Sequence, residues 1–279
     1  MLTACSSEVK EEVSNQVMAP ITVRLNGFTI EQGEITRATA VESYTGVKTL
    51  ILAFYLTSDG SEVYKHTQIR SDATTFTTFG EFSTTLPVGN YTMVVIGHGG
   101  TNTLTLSGPT EATYGTNRVQ DTFLATQSVT VTSGSAQNLS ATLTRITSAL
   151  SVQSTDNRPA EVTHMRFTYG AGGKGFSPAT GLATTNTGFV NLVEHTGDAG
   201  TTTYTGGMLF LANDSQTMDV TIETLDANSQ VVFTKTITDV PMKRNRVTKL
   251  TGAVYSGASV SASSFQIDET WLDNYNVNF

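Results

Sequence analysis

Apolar residues in this 279-residue chain recur at every second position over most of its length, and that period constrains the fold more than any other feature. Successive side chains of a strand point to opposite faces, so a period of two marks half-buried strands, whereas a helix repeats every 3.6 residues. Ile21, Val23 and Leu25 alternate within 20–28, and Leu50-Ile51-Leu52-Ala53-Phe54-Tyr55 is a denser run suited to a central strand buried on both faces. Asp59-Gly60 predicts a hairpin into 62–69. Strands follow over 77–86, 91–97, 128–132 and 138–146, with turns at Pro87-Val88-Gly89-Asn90 and Ser133-Gly134-Ser135. The segment 98–117 is polar, rich in Gly and Thr and without a period, which predicts a loop. The second half repeats the style, with strands over 150–152, 161–169, 188–193, 203–211, 218–225, 231–237 and 246–255. No stretch of 12 or more residues carries a helical period. Threonine, about one residue in six, and frequent Val, Phe and Tyr favour pleated strands. About seven strands per half predict an all-β chain of two β-sandwiches, with a boundary near 145–147. The three segments are then 1–19, a leader remnant and tether, and sandwiches over 20–146 and 147–279, each long enough for its own core.

Charge narrows the partners. Sixteen Lys and Arg against 24 Asp and Glu give a formal charge of -8, which repels phosphate backbones and argues against nucleic acid. The single cysteine, Cys5, excludes an internal disulfide and a cysteine-based zinc site. Its context is informative: Leu2-Thr3-Ala4-Cys5 has the form of a lipobox, in which a lipoprotein signal peptidase cuts before an acylated Cys. A complete export signal carries a basic start and a 7–15 residue apolar segment, which places the expected translation start upstream of Met1. The polar stretch 6–15 suits a tether, and attachment is then expected through lipid at an outer membrane, since no run of about 18 apolar residues spans a bilayer. Lys10-Glu11-Glu12 is similar to short signals that send such lipoproteins to the cell surface.

Candidate chemistry is sparse, and no enzyme or cofactor is expected. Gly170-Ala171-Gly172-Gly173-Lys174-Gly175 matches GxGxxG after a strand, yet Phe176-Ser177-Pro178 follows where a phosphate-binding helix should open, so a flexible loop is expected. His66, His98, His164 and His195 lack the spacing of metal ligands. No GxSxG elbow supplies a nucleophile, and Glu11-Glu12 and Asp268-Glu269 read as exposed charge.

Three segments resemble the fimbrillin superfamily, whose members build the proteolytically assembled pili of Bacteroidales-type bacteria. They are Thr36-Arg37-Ala38-Thr39 followed by 47–55, then Pro87-Val88-Gly89-Asn90-Tyr91-Thr92 with Val94-Val95-Ile96-Gly97, and Met242-Lys243-Arg244-Asn245-Arg246-Val247-Thr248-Lys249-Leu250-Thr251-Gly252. The resemblance implies two tandem transthyretin-like β-sandwich domains, an acylated precursor and assembly with other pilus subunits by strand exchange, with adhesion to host proteins or glycans as the outcome. In that family a trypsin-like protease cuts after an Arg in the loop following the first strand. Arg37-Ala38 is the matching bond, and Ile21, Val23 and Leu25 are the plugs withdrawn.

The C-terminus fits a donor strand on its own terms. Trp271, Tyr275, Val277 and Phe279 share one parity and Asn274, Asn276 and Asn278 the other, which also suits the last strand of the second sandwich. The competing function is a carbohydrate-binding surface lipoprotein, for which Tyr114, Tyr169 and Tyr204 would supply the aromatic platform.

Overall fold

The computed structural model describes residues 16–32, 35–41, 43–100, 102–194, 198–256 and 266–268. Among them the regular structure is strand apart from one 3₁₀ turn at Ala73–Thr75, so the all-β expectation holds. No helix among the described residues is long and apolar enough to cross a membrane.

The first half runs β1 (Met18–Gln32), β2 (Ile35–Thr39), β3 (Thr49–Leu56), β4 (Glu62–Ile69), β5 (Glu81–Pro87), β6 (Gly89–His98), β7 (Leu104–Gly108), β8 (Glu111–Tyr114), β9 (Thr122–Val131) and β10 (Gln137–Arg145). One sheet runs β2-β1-β10-β9-β6-β3-β4, with β5 also on β1. It turns a corner where β10 meets β9 at only two pairs, Thr144 with Leu124 and Arg145 with Phe123. Folded over there, it brings Ile21, Val23, Phe82, Leu86 and Leu143 from one side into a common core with Leu50, Leu52, Phe54, Met93 and Val95 from the other.

The second half contains β11 (Ser148–Ser154), β12 (His164–Tyr169), β13 (Gly175–Phe176), β14 (Phe189–Glu194), β15 (Tyr204–Leu209), β16 (Ser215–Leu225), β17 (Val231–Lys243), β18 (Val247–Gly252) and β19 (Gln266–Asp268). Its two four-stranded sheets, β15-β11-β18-β19 and β14-β12-β16-β17, enclose a second core that includes Leu150, Val152, Phe167, Val220, Ile237 and Leu250. The two halves share one device. The first strand of each runs parallel to a strand near its end, β1 with β10 and β11 with β18, while every other pairing among the described residues is antiparallel. Parallel neighbours need long crossovers, so these first strands are held by distant chain rather than by a hairpin on that side.

A third core joins the halves. Ile51, Ala53 and Tyr55 of β3, with Val94 and Ile96 of β6, face away from the first core and meet Leu104, Leu106 and Tyr114, then Phe176, Met208 and Phe210 from the second half. Burial on both faces accounts for the unbroken apolar run 50–55. The segment 98–117 is correspondingly not a plain loop. Leu104 and Leu106 pair across from Tyr114 and Ala112 in the β7–β8 hairpin, and β8 pairs onward with β13. The strands are so short, and their alternate positions so rich in Thr and Gly, that the period is lost in a sequence window. Double burial also hides the start of β9, where adjacent Phe123 and Leu124 face different cores.

Candidate functional site

The first strand is held on both sides. Ile21 and Val23 are fully buried with Ala19 before them, and Leu25 is half-buried against the same core. β1 lies between β10, paired from Ile21–Gln137 to Thr29–Thr144, and β5, paired from Met18–Pro87 to Arg24–Glu81. Each buried aliphatic side chain contributes roughly 2 kcal/mol of burial. Taking β1 away would expose Phe82, Leu86, Ala141 and Leu143 and leave facing backbone groups of β5 and β10 without partners.

Arg37 and Ala38 are not in a loop, as the resemblance had implied. They belong to β2, where Arg37 pairs with Ile30 and Ala38 with Thr29. The ladder runs from Phe28–Thr39 to Gln32–Ile35. Among the described residues β2 is the outer strand of its sheet and pairs with β1.

Immediately downstream the chain is clamped. Arg70 donates from Nε to the Val47 carbonyl at 2.9 Å and from Nη2 to the carbonyls of Val41 at 2.9 Å and Tyr44 at 3.2 Å, and it stacks 4.0 Å above the Phe79 ring. The Tyr44 ring packs 5.5 Å from both Phe28 and Phe123. Its hydroxyl donates to Asp121 at 3.2 Å and accepts from Arg145 at 3.0 Å. Arg145 grips Asp121 in a fork of two 2.8 Å bonds, and Thr147 adds a third donor at 3.1 Å. Burial first, then the Asp121 carboxylate, pushes the Tyr44 phenol well above its ordinary value. The chain before Arg37 thus forms a core strand, while the chain after Ala38 is tied to β4, β9 and β10.

Other sequence candidates resolve differently. Cys5, Tyr275, Val277 and Phe279, with Trp271 and His195, lie outside the described residues. Tyr114 and Tyr169 are fully buried and cannot form a surface platform. Residues 170–175 are tightly packed rather than a free loop: Gly173 bridges to Phe210, and Gly172, at φ +77°, lies where a Cβ would sit 2.7 Å from the Phe210 carbonyl. Lys174 is engaged with Asn117 at 3.0 Å, and no helix follows to receive a phosphate. His98 is buried edge-on to Tyr114, and burial lowers its pKa. No group of three or more His, Cys, Asp or Glu that could hold a metal occurs among the described residues.

One feature escaped sequence reading. A groove of about 510 Å³ lies between β4 and β5, lined by Tyr64, His66, Gln68, Phe76, Glu81 and Phe82 together with Thr77, Thr78 and Ser83. Its signal is the alternation Tyr64-x-His66-x-Gln68, which places rings and an amide on the inner face of an outermost strand.

Comparison with known proteins places this architecture. The model of the family of unknown function DUF6562 matches residues 100–278, and no curated protein matches the chain. Among solved structures the chain is similar to a candidate adhesin from Bacteroides ovatus, with TM-score 0.52 and 13% identity over 85% of this chain and 88% of that one. It is also similar to a candidate polysaccharide-binding protein from Bacteroides thetaiotaomicron, with TM-score 0.50 and 10% identity over 92% and 99%. The fimbrial anchor protein Mfa2 from Porphyromonas gingivalis aligns over 91% and 100% with TM-score 0.48 and 12% identity. At these identities the likeness is one of fold.

Proposed function

Because the chain belongs to the family of unknown function DUF6562 and carries the fold of a Bacteroides adhesin candidate, we propose that it is a structural subunit or membrane anchor of a surface fimbrium. In this reading 20–146 and 147–279 are tandem transthyretin-like sandwich domains, and Cys5 is acylated in the outer membrane. The chain acts by holding partners rather than by catalysis. Proteolysis at Arg37–Ala38 withdraws β1, and the exposed channel between β5 and β10 accepts a strand from another subunit. A donor presenting Tyr275, Val277 and Phe279 from its own C-terminus supplies the alternating plugs that such a channel needs. Adhesion to host proteins or glycans follows from the filament so built.

The observation that carries this reading is the asymmetry around Arg37. Upstream lies a strand whose partners are all remote in sequence on its parallel side, so it leaves without unthreading. Downstream, Arg70 and the Tyr44–Arg145–Asp121 cluster keep the walls in place. The test is mass spectrometry of the chain, with an upstream export signal, after limited digestion by an Arg-specific protease. A polymerising subunit is cut first at Arg37 and then gives concentration-dependent, SDS-resistant ladders, and Arg37→Gln abolishes both. An anchor resists at Arg37 and retains an acylated Cys5. Cleavage first at Arg158 or Arg244, or a chain cut at Arg37 that stays monomeric without an acyl group, sinks the proposal.

A further inference from the structure

The groove between β4 and β5 opens on the side of β5 away from β1, which pairs with β5 from Met18–Pro87 to Arg24–Glu81 but has no pair with β4 among the described residues. We propose that it is a binding site for one or two neutral pyranose rings of a glycan. The groove is the open mouth of the first sandwich, where β4 is the outermost strand of one layer and β5 of the other. Its volume of about 510 Å³ falls in the range of small-ligand sites.

The lining selects the ligand class. Tyr64 and His66 present near-parallel rings, 22° apart with centroids at 6.4 Å, and Phe82 stands edge-on to His66 at 6.1 Å. Such rings offer flat faces to the C–H side of a sugar. Beside them the Glu81 carboxylate, held at one oxygen by Arg24 of β1 at 3.2 Å, keeps its second oxygen as an acceptor for a pyranose hydroxyl, with Arg24 as a donor next to it, and Thr77, Thr78 and Ser83 add hydroxyls along the rim. A purely apolar ligand would strand these polar groups. An acidic one would have to compete with Glu81 for Arg24 within a chain of net charge -8. A neutral polyol with one apolar face satisfies both walls.

The site is also built in advance. Gln68 is buried, donates to the Glu81 carbonyl at 2.7 Å and accepts from the Gly80 amide at 2.8 Å, which fixes the floor across the two strands. Asp72 caps the 3₁₀ turn through the Thr74 amide, and Phe76 then packs edge-on to Phe79 at 5.4 Å, under the Arg70 cation. Rings already held in place bind with less ordering cost. By contrast, a second depression of about 520 Å³ near Leu56 and Asn90 has one aromatic, Tyr91, whose hydroxyl is already donated to the Pro87 carbonyl.

The test uses the full chain against an array of neutral and sialylated glycans, followed by saturation-transfer NMR and titration with lactose, N-acetyllactosamine, cellobiose and chitobiose. The expected result is binding of at least one neutral saccharide, weakened at least about tenfold by Glu81→Gln and by Tyr64→Leu. Ser83→Trp, at an exposed position that leaves the core untouched, abolishes the signal by filling the groove, with an unchanged melting temperature. Absence of any neutral binder overturns the proposal. So does a signal that survives Ser83→Trp, or one that follows the sialic acid. All of these outcomes are read on the uncut chain, in which β1 still holds β5, so failure of this site and failure of the fimbrial reading are distinguishable.

Discussion

Removing the carboxylate of Asp121 leaves Arg145 as an unpaired cation beneath Tyr44 and Phe123. The side chains of both partners are mostly buried, at 16% and 18% exposure, so water replaces the lost fork only in part. Breaking one side of such a buried pair costs about 3–5 kcal/mol, and the partial access here favours the lower end. With roughly 2 °C per kcal/mol for a chain of this size, Asp121→Ala should lower the transition of the first half by about 6–10 °C in differential scanning calorimetry. The loop 43–47 should also lose hydrogen-exchange protection, because the Tyr44 hydroxyl loses its acceptor and its neighbour Arg145 becomes free to reorient. The decisive comparison is the pair Asp121→Ala with Arg145→Met. Methionine keeps an apolar stem over Phe123 without a charge, so the double variant should recover to within about 1–2 kcal/mol of the parent. If the double variant is as unstable as Asp121→Ala alone, the cost lies in packing and the electrostatic account is wrong.

Two further outcomes are expected. Burial raises the phenols of Tyr44, Tyr55, Tyr114 and Tyr169, and pushes that of Tyr255 up to about 12. The folded chain therefore holds protons that the unfolded chain releases near pH 10, so this stability is fully present below about pH 10 and drains away as pH rises toward 12. Absorbance at 295 nm should show these tyrosines ionising together with loss of the strand circular dichroism; early independent ionisation would contradict their burial. Gly188→Ala should cost at least about 2 kcal/mol, because φ is +70° and a Cβ there overlaps the Tyr169 carbonyl; an unchanged urea midpoint would refute the packing at this turn.

Much of the strand plan was legible because local alternation reports which face of a strand is wet. The run 50–55 predicted a strand buried on both faces, and β3 is that strand. The pairs Tyr55–Glu62 and Gln137–Ile21 illustrate the limit: the first follows from Asp59-Gly60, whereas the second joins strands more than a hundred residues apart with no local turn to announce it. Likewise Arg37 reads as an arginine between two strands, and its pairing with Ile30 belongs to a five-pair ladder that is neither long nor strongly apolar.

The sequence by itself determined an all-β chain of net negative charge, with Ile21 and Val23 on a core-facing parity, since composition and period are properties of neighbouring residues. Only the tertiary structure decided that β1 is wedged in parallel beside β10, that Tyr114 and Tyr169 are core rather than platform, and that Tyr64, His66 and Glu81 meet across a groove. These depend on which distant strands become neighbours, a choice made by the burial of three cores at once rather than by any segment's own pattern.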